Sequence, residues 1–158
     1  MIKKILLPLI TLYSLSYAVK DIWMADVSIA NISKNLENKK SYTCSVALHN
    51  KGDDDAQYAK VLILLPLKMK YSDFNITKYE NKVYLKDINC IASHEDINKS
   101  KTSYIECSMG HLIVDANISF DIHAQNLDLN RTENSTCSAF VYSASPDGSL
   151  GNNYAESK

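Results

Sequence analysis

"YTCSVALHN", residues 42–50, decides the fold class. Tyr42, Cys44, Val46 and Leu48 fall on one parity, and Thr43, Ser45, Ala47 and His49 on the other. A period of two places the first set on one face of a β-strand and the second on the opposite face. A helix would spread both sets around its circumference. The stretch therefore predicts a strand with one face against a core.

The same period recurs to either side. "WMADVSIAN" (Trp23–Asn31) and "NISFDIHAQ" (Asn117–Gln125) alternate. "SYIECSMG" (Ser103–Gly110) sets Tyr104 and Glu106 against Ile105 and Cys107. "TCSAFVYSA" (Thr136–Ala144) sets Cys137, Ala139 and Val141 against Phe140 and Tyr142, and "NKVYLKDI" (Asn81–Ile88) is a further predicted strand. "KVLILLPL" (Lys60–Leu67) is a continuous apolar run closed by Pro66, as expected of a strand buried on both faces. Turn signals punctuate the chain at Asn50-Lys51-Gly52, at Asp53 to Asp55, and at Ser145-Pro146-Asp147-Gly148. Ten tyrosines suit strands, and no amphipathic helix of three turns appears. The expected fold is all-β, an immunoglobulin-like β-sandwich; a closed barrel is the alternative.

The first eighteen residues read as a secretory signal peptide. Lys3 and Lys4 precede an apolar run from Ile5 to Leu15, too short to span a bilayer, and Ser16-Tyr17-Ala18 is a small-x-small cleavage site. No later stretch is long and apolar enough for a membrane helix. Residues 19–158 are then expected as one domain, periplasmic, surface-bound or secreted. Without Lys3 and Lys4 the mature chain carries 15 basic against 18 acidic residues, a net charge of about −3. Its lysines are scattered, so no nucleic-acid partner is expected.

Four cysteines in an exported chain predict two disulfides, and four allow three connectivities. Cys44 and Cys137 each lie on an inward face, near the two ends of the domain, and can tie two sheets together. Cys90 and Cys107 bracket the polar stretch "IASHEDINKSKTSYIE" and can close a hairpin-like excursion. Cys44–Cys137 with Cys90–Cys107 nested inside is the favoured pairing.

A family resemblance emerges from several motifs in order. "YTCSVALHNKG", then Asp55-Ala56, then the apolar run ending Leu65-Pro66, resembles the conserved repeat domain of bacterial surface proteins, a relative of cell-adhesion-related domains. Cys107-x-x-Gly110-x-Leu112 resembles that family's C-x-x-G-x-L segment, whose partner cysteine is here Cys90. Val141, Ser143, Asp147, Asn152, Asn153 and Ala155 resemble its terminal signature. The likeness spans roughly residues 26–156. It implies an immunoglobulin-like, non-enzymatic module. The chain departs from the family in having one copy, and in ending five residues after Asn153, where the family continues into a final strand. An open sheet edge is one expected consequence, and exposed edges pair with other chains.

Six N-x-S/T triplets occur, at Asn31, Asn75, Asn98, Asn117, Asn130 and Asn134. Four of these carry Asp two residues earlier: "DFNIT", "DINKS", "DANIS" and "DLNRT", centred on Asn75, Asn98, Asn117 and Asn130. With 18 acidic residues among 158, chance supplies fewer than one such case in six. The pattern resembles the acidic acceptor sequon of Campylobacter-type N-linked glycosylation, in which a cationic group of the oligosaccharyltransferase can pair with the −2 carboxylate. Acceptors must be accessible and flexible. "DLNRT" is expected between two strands, "DINKS" in the Cys90–Cys107 loop and "DFNIT" after a strand end; "DANIS" leads straight into a strand. Turn chemistry of Asp and Asn is the plainer explanation of such clusters, but does not account for the −2 preference.

Catalytic signatures are missing. His49, His94, His111 and His123 stand apart without ligand spacing, and four glycines form no phosphate cradle. "GDDDA" (Gly52–Ala56), and Asp147 with Asn152 and Asn153, read first as turns and second as calcium sites. No metal and no cofactor is expected. The resulting expectation is a non-enzymatic binding or structural module with an unknown protein or envelope partner. Its working surface would be loops or a sheet edge. Assembly by strand addition, with Val19–Ala25 as donor, and a small periplasmic enzyme or inhibitor are the alternatives.

Overall fold

The computed structural model describes residues 24–37, 39–80, 88–97, 100–128 and 135–158. Among them lie nine strands: β1 (Val27–Glu37), β2 (Ser41–Asn50), β3 (Ala56–Leu64), β4 (Met69–Glu80), β5 (Asn89–Ile97), β6 (Ser100–Leu112), β7 (Asn117–Asn126), β8 (Ser138–Tyr142) and β9 (Tyr154–Glu156). One turn of 3₁₀ helix, Leu150–Asn152, leads into β9. The strands make two sheets, ordered β1-β2-β7-β4 and β5-β6-β3-β8-β9. Neighbours within each sheet are antiparallel. The sheets pack face to face as an immunoglobulin-like β-sandwich rather than a closed barrel.

The opening stretch behaves as its parity dictates. Tyr42, Cys44, Val46 and Leu48 of β2 are buried. Beside them β7 contributes Ile118, Phe120, Ile122 and Ala124 to the core. The opposite sheet supplies Ile105, Cys107 and Met109 from β6, Val61 and Ile63 from β3, and Ala139 and Val141 from β8. The buried Tyr42 hydroxyl donates to the Ser135 carbonyl at 3.2 Å, so its polar tip is satisfied inside an apolar layer.

Both favoured disulfides are present. Cys44 in β2 joins Cys137, which immediately precedes β8, and so links the two sheets. Cys90 and Cys107 face each other in the β5–β6 register and join with a Cα separation of 4.0 Å.

Four sequence expectations change. The run Lys60–Leu67 is not buried on both faces: β3 alternates, with Val61 and Ile63 inward and Leu62 and Leu64 outward. A two-layer sandwich covers one face of each sheet, and the outer side of β3 has no layer over it among the described residues. The stretch bracketed by Cys90 and Cys107 is no loop, because β5 and β6 pair continuously from Asn89↔Ser108 to Ile97↔Ser100. "DFNIT" does not follow a strand end; it lies within β4, an edge strand paired along its length with β7. The final strand, in doubt from the family pattern, exists as β9, pairing Ser138, Ala139 and Phe140 with Glu156, Ala155 and Tyr154. The expected signal peptide, most of the expected strand Asn81–Ile88, and the sequons at Asn98, Asn130 and Asn134 lie outside the described residues.

Candidate functional site

The outward faces of the two sheets differ in chemistry. On the four-stranded sheet the outward positions are polar: Asn31, Ser33 and Asn35 on β1, Thr43 and Ser45 on β2, Asp73 and Asn75 on β4, Asn117, Ser119 and Asp121 on β7. The five-stranded sheet turns apolar and aromatic side chains outward. One cross-strand row runs Ile91, Glu106, Leu62, Phe140, Tyr154 through β5, β6, β3, β8 and β9. The rows beside it hold Ser108, Lys60 and Tyr142 on one side and Tyr104, Leu64 and Ser138 on the other. Ile91 is 62% exposed, Tyr154 52%, Phe140 43% and Leu64 40%. Large side chains left in water on one contiguous face mark an interaction surface, because burying them again is favourable.

A β-bulge extends this surface. Between Ala56 and Ala59 the register of β3 slips, and two successive side chains, Gln57 and Tyr58, point outward between the buried alanines. Tyr58 has φ 51°, in the left-handed region that bulky residues avoid, and Gly110, the partner of Ala59, has φ 65°. Tyr58 is 66% exposed and packs edge-to-face on His111 with ring centroids 5.4 Å apart. Backbone strain persists only where the surroundings impose it, and here it holds an aromatic ring out in solvent.

The electrostatics of the face centre on one pair. Lys60 Nζ donates to Glu106 Oε1 at 2.6 Å, and the Tyr142 hydroxyl donates to Glu106 Oε2 at 3.2 Å. The Lys60 hydrogen bond first, then that of Tyr142, holds the Glu106 carboxyl below its ordinary value against partial desolvation. The same bond holds the Lys60 ammonium above its own. Partial burial, then the Glu106 charge, raises the Tyr142 phenol. Phe140 and Tyr142, two apart on β8, have rings within 24° of parallel and centroids 6.0 Å apart.

The residues that suggested calcium do structural work. Asn50 is fully buried. Its Oδ1 accepts from the backbone N–H of Asp26 and of Gly52, both at 3.1 Å, and its Nδ2 donates to the carbonyls of Asp54 and Leu112, both at 2.9 Å. A side chain on Gly52 would drive into the backbone of Met24, Ala25 and Asp26. Asp55 Oδ1 accepts from Val114 N–H, and the Ser145 hydroxyl donates to the Asp55 carbonyl. Asp147 accepts from Ser149 N–H and Asn153 Nδ2, while Asn152 Nδ2 donates to Asp26. The two turns thus clamp the start of β1. No three His, Cys, Asp or Glu side chains gather as a metal would require among the described residues.

Of the predicted acceptor asparagines, Asn75 is exposed on β4 and Asn117 opens β7, its Nδ2 donating to the Asp115 carbonyl at 3.3 Å. Both stand on the polar outer face with Asn31. Asn98 and Asn130 lie outside the described residues.

The model of the integrin alpha Ig-like domain 2 family matches residues 14–145. The chain belongs to the integrin alpha Ig-like domain 2 family. This Ig-like domain has β9 beyond the matched segment. By fold it is similar to a family 3b carbohydrate-binding module of Clostridium clariflavum: TM-score 0.50 and 18% identity, over 77% of this chain and 91% of that one. It is also similar to a collagen-binding domain of a Staphylococcus aureus adhesin: TM-score 0.45, 8% identity, 84% and 94% coverage. Domains D2 and D3 of the major pilin SpaD of Corynebacterium diphtheriae give TM-score 0.45 and 10% identity, over 85% of this chain and 50% of that one. At these identities the likeness is one of fold alone. Among curated proteins no sequence matches.

The sequence reading set Phe140 and Tyr142 opposite the inward face of Cys137, and Tyr104 and Glu106 opposite Ile105 and Cys107, but placed the working surface on loops or an edge. The signal that could have found the face was already there: apolar residues on both parities of β3 and β8, meaning more oil than one core face can absorb.

Proposed function

We propose that this Ig-like domain is an exported, non-enzymatic binding module of the periplasm or cell surface, and that it engages its partner through the outward face of the five-stranded sheet. The observation that carries the reading is the row Ile91–Glu106–Leu62–Phe140–Tyr154, which exposes Ile91, Phe140 and Tyr154 on one sheet while the other sheet's outer face is polar. Two disulfides fit an oxidising compartment, entered through the signal peptide of residues 1–18. One similar fold is that of a carbohydrate-binding module. The described sequon asparagines, Asn31, Asn75 and Asn117, stand on the opposite face, so glycans attached there leave the aromatic face bare.

Assembly by strand addition is the weaker reading. The long edge strand β4 carries two bulges and the charged side chains Lys70, Asp73, Lys78 and Glu80, features that blunt edge pairing, and β9 is three residues long. The test is capture of envelope components by the mature protein, compared with Phe140→Ala and Tyr154→Ala. Loss of capture with an unchanged circular-dichroism spectrum supports the face; retention in both variants rejects it.

A further inference from the structure

The composition of this face also narrows its ligand, on the reading that the face is where the domain binds. Tyr58, Tyr142, Phe140 and Tyr154 carry exposed or half-exposed rings from the β3 bulge across β8 to β9. Among them stands an ion pair, Lys60–Glu106, whose side chains are 39% and 42% exposed. Three features of the arrangement discriminate between ligand classes.

The pair is internally neutral. It projects no net charge, so it offers nothing to draw in an acidic or basic polymer. Glu106 stands within the row, between Ile91 and Leu62, and Lys60 in the row beside it, so the pair lies inside the face and not at its rim. A protein partner with an apolar interface core would strip water from both charges, a cost that attraction between them does not reliably repay, and interface cores are depleted of Lys and Glu for this reason. A ligand carrying hydroxyls replaces the lost water bonds, donating to Glu106 and to the Tyr142 oxygen, whose own proton is held by Glu106, and accepting from Lys60. Finally, the surface is an open, extended sheet face, and it fits a chain laid lengthwise better than an isolated small molecule, which prefers a concavity.

We infer that the ligand of this face is a neutral, extended oligosaccharide. Its rings would set their C–H faces on Phe140, Tyr154 and Tyr58, and its hydroxyls on Glu106, Lys60 and Tyr142. Recognition by alternate apolar and hydroxyl contacts needs both kinds of group on one platform, and this sheet interleaves them. The left-handed backbone of Tyr58 fits the same role, since it presents a ring that a regular strand would not.

The test uses the mature protein against two sets of soluble hexasaccharides, read by titration calorimetry. One set is neutral: β-glucan, mannan and N-acetylglucosamine chains. The other is anionic: uronate chains. The expected result is binding to a neutral member that changes little between low and high salt. It should weaken roughly tenfold in Phe140→Ala and in Tyr154→Ala, each with its fold retained. Glu106→Gln should weaken it without altering the melting temperature appreciably. Absence of binding to every neutral chain at millimolar concentration overturns the saccharide assignment, as does binding confined to the anionic set. If the same two alanine variants then still abolish capture of an envelope protein, the face stands as the binding surface and only its ligand class falls. If they abolish neither, both readings fall.

Discussion

Cys44 and Cys137 are separated by 93 residues and belong to opposite layers, yet their Cα atoms lie 6.3 Å apart. Both are fully buried. The cross-link closes most of the domain into one loop, and a loop of that size removes unfolded-chain entropy equivalent to about 4.5 kcal/mol on the chain-entropy account. Cys44→Ala with Cys137→Ala should lower the unfolding free energy by that order, measured as a fall in the urea midpoint with a steeper slope, because the freed unfolded chain expands.

The Cys90–Cys107 bridge should act locally. Its 17-residue separation predicts about 3 kcal/mol on the same account. β5 is an edge strand paired only with β6. Cys90→Ala with Cys107→Ala should therefore speed amide hydrogen exchange in β5 while β2 and β7 keep their protection. Equal deprotection of both sheets would contradict this.

Asn50 should be the costliest polar side chain to remove. Its four bonds join the start of β1, the 51–54 turn and the end of β6. Asn50→Ala leaves buried backbone groups unpaired, each worth about 1–3 kcal/mol, so a loss of at least about 3 kcal/mol is expected in chemical denaturation. Asn35→Ala on the exposed face should cost less than about 0.5 kcal/mol.

The Lys60–Glu106 pair predicts a direction with pH. Glu106 is held below its ordinary value in the fold, so its contribution is present above about pH 4.3 and is lost as pH falls through the folded value. Lys60 is held above its own, so its contribution is full below about pH 10.4 and is lost as pH rises through the folded value. Because both side chains are well exposed, the effect on stability is small and screened by salt. The sharper readout is nuclear magnetic resonance titration: Lys60→Met should move the Glu106 carboxyl upward.

Glycan attachment should depend on timing. Asn75 is paired in register with Asp121 of β7, and Asn117 lies between β2 and β4. Neither backbone is free to bend into a transferase once the sheet has formed. Protein recovered from its exporting host should carry carbohydrate at Asn75 by intact mass. Asp73→Ala should remove it, and protein folded before exposure to the transferase should accept none there.

Legibility in the sequence tracked the regularity of each strand. β2 and β7 alternate without interruption, and their faces follow from parity alone. β4 escaped notice because its inward residues, Met69, Tyr71, Phe74 and Ile76, are spaced two, three, two. The register slip between Tyr71 and Asp73 produces that spacing, since the bulge inserts one residue and shifts the parity. β5 was hidden differently: a polar edge strand lacks the apolar face that periodicity detects, and its partner is fixed by the Cys90–Cys107 register.

The sequence by itself determined that this is a β protein with one face of its regular strands turned to a core and four cysteines available to cross-link it. Alternation is a property of neighbours along the chain, and the cysteines fell on the faces that had to meet. The tertiary structure alone decided that Phe140 stands beside Tyr154, that Lys60 reaches Glu106, and that Asn50 locks three segments together. Those partners lie 14, 46 and up to 62 residues apart in sequence. Register between distant strands is set by how whole faces pack, which no local pattern contains.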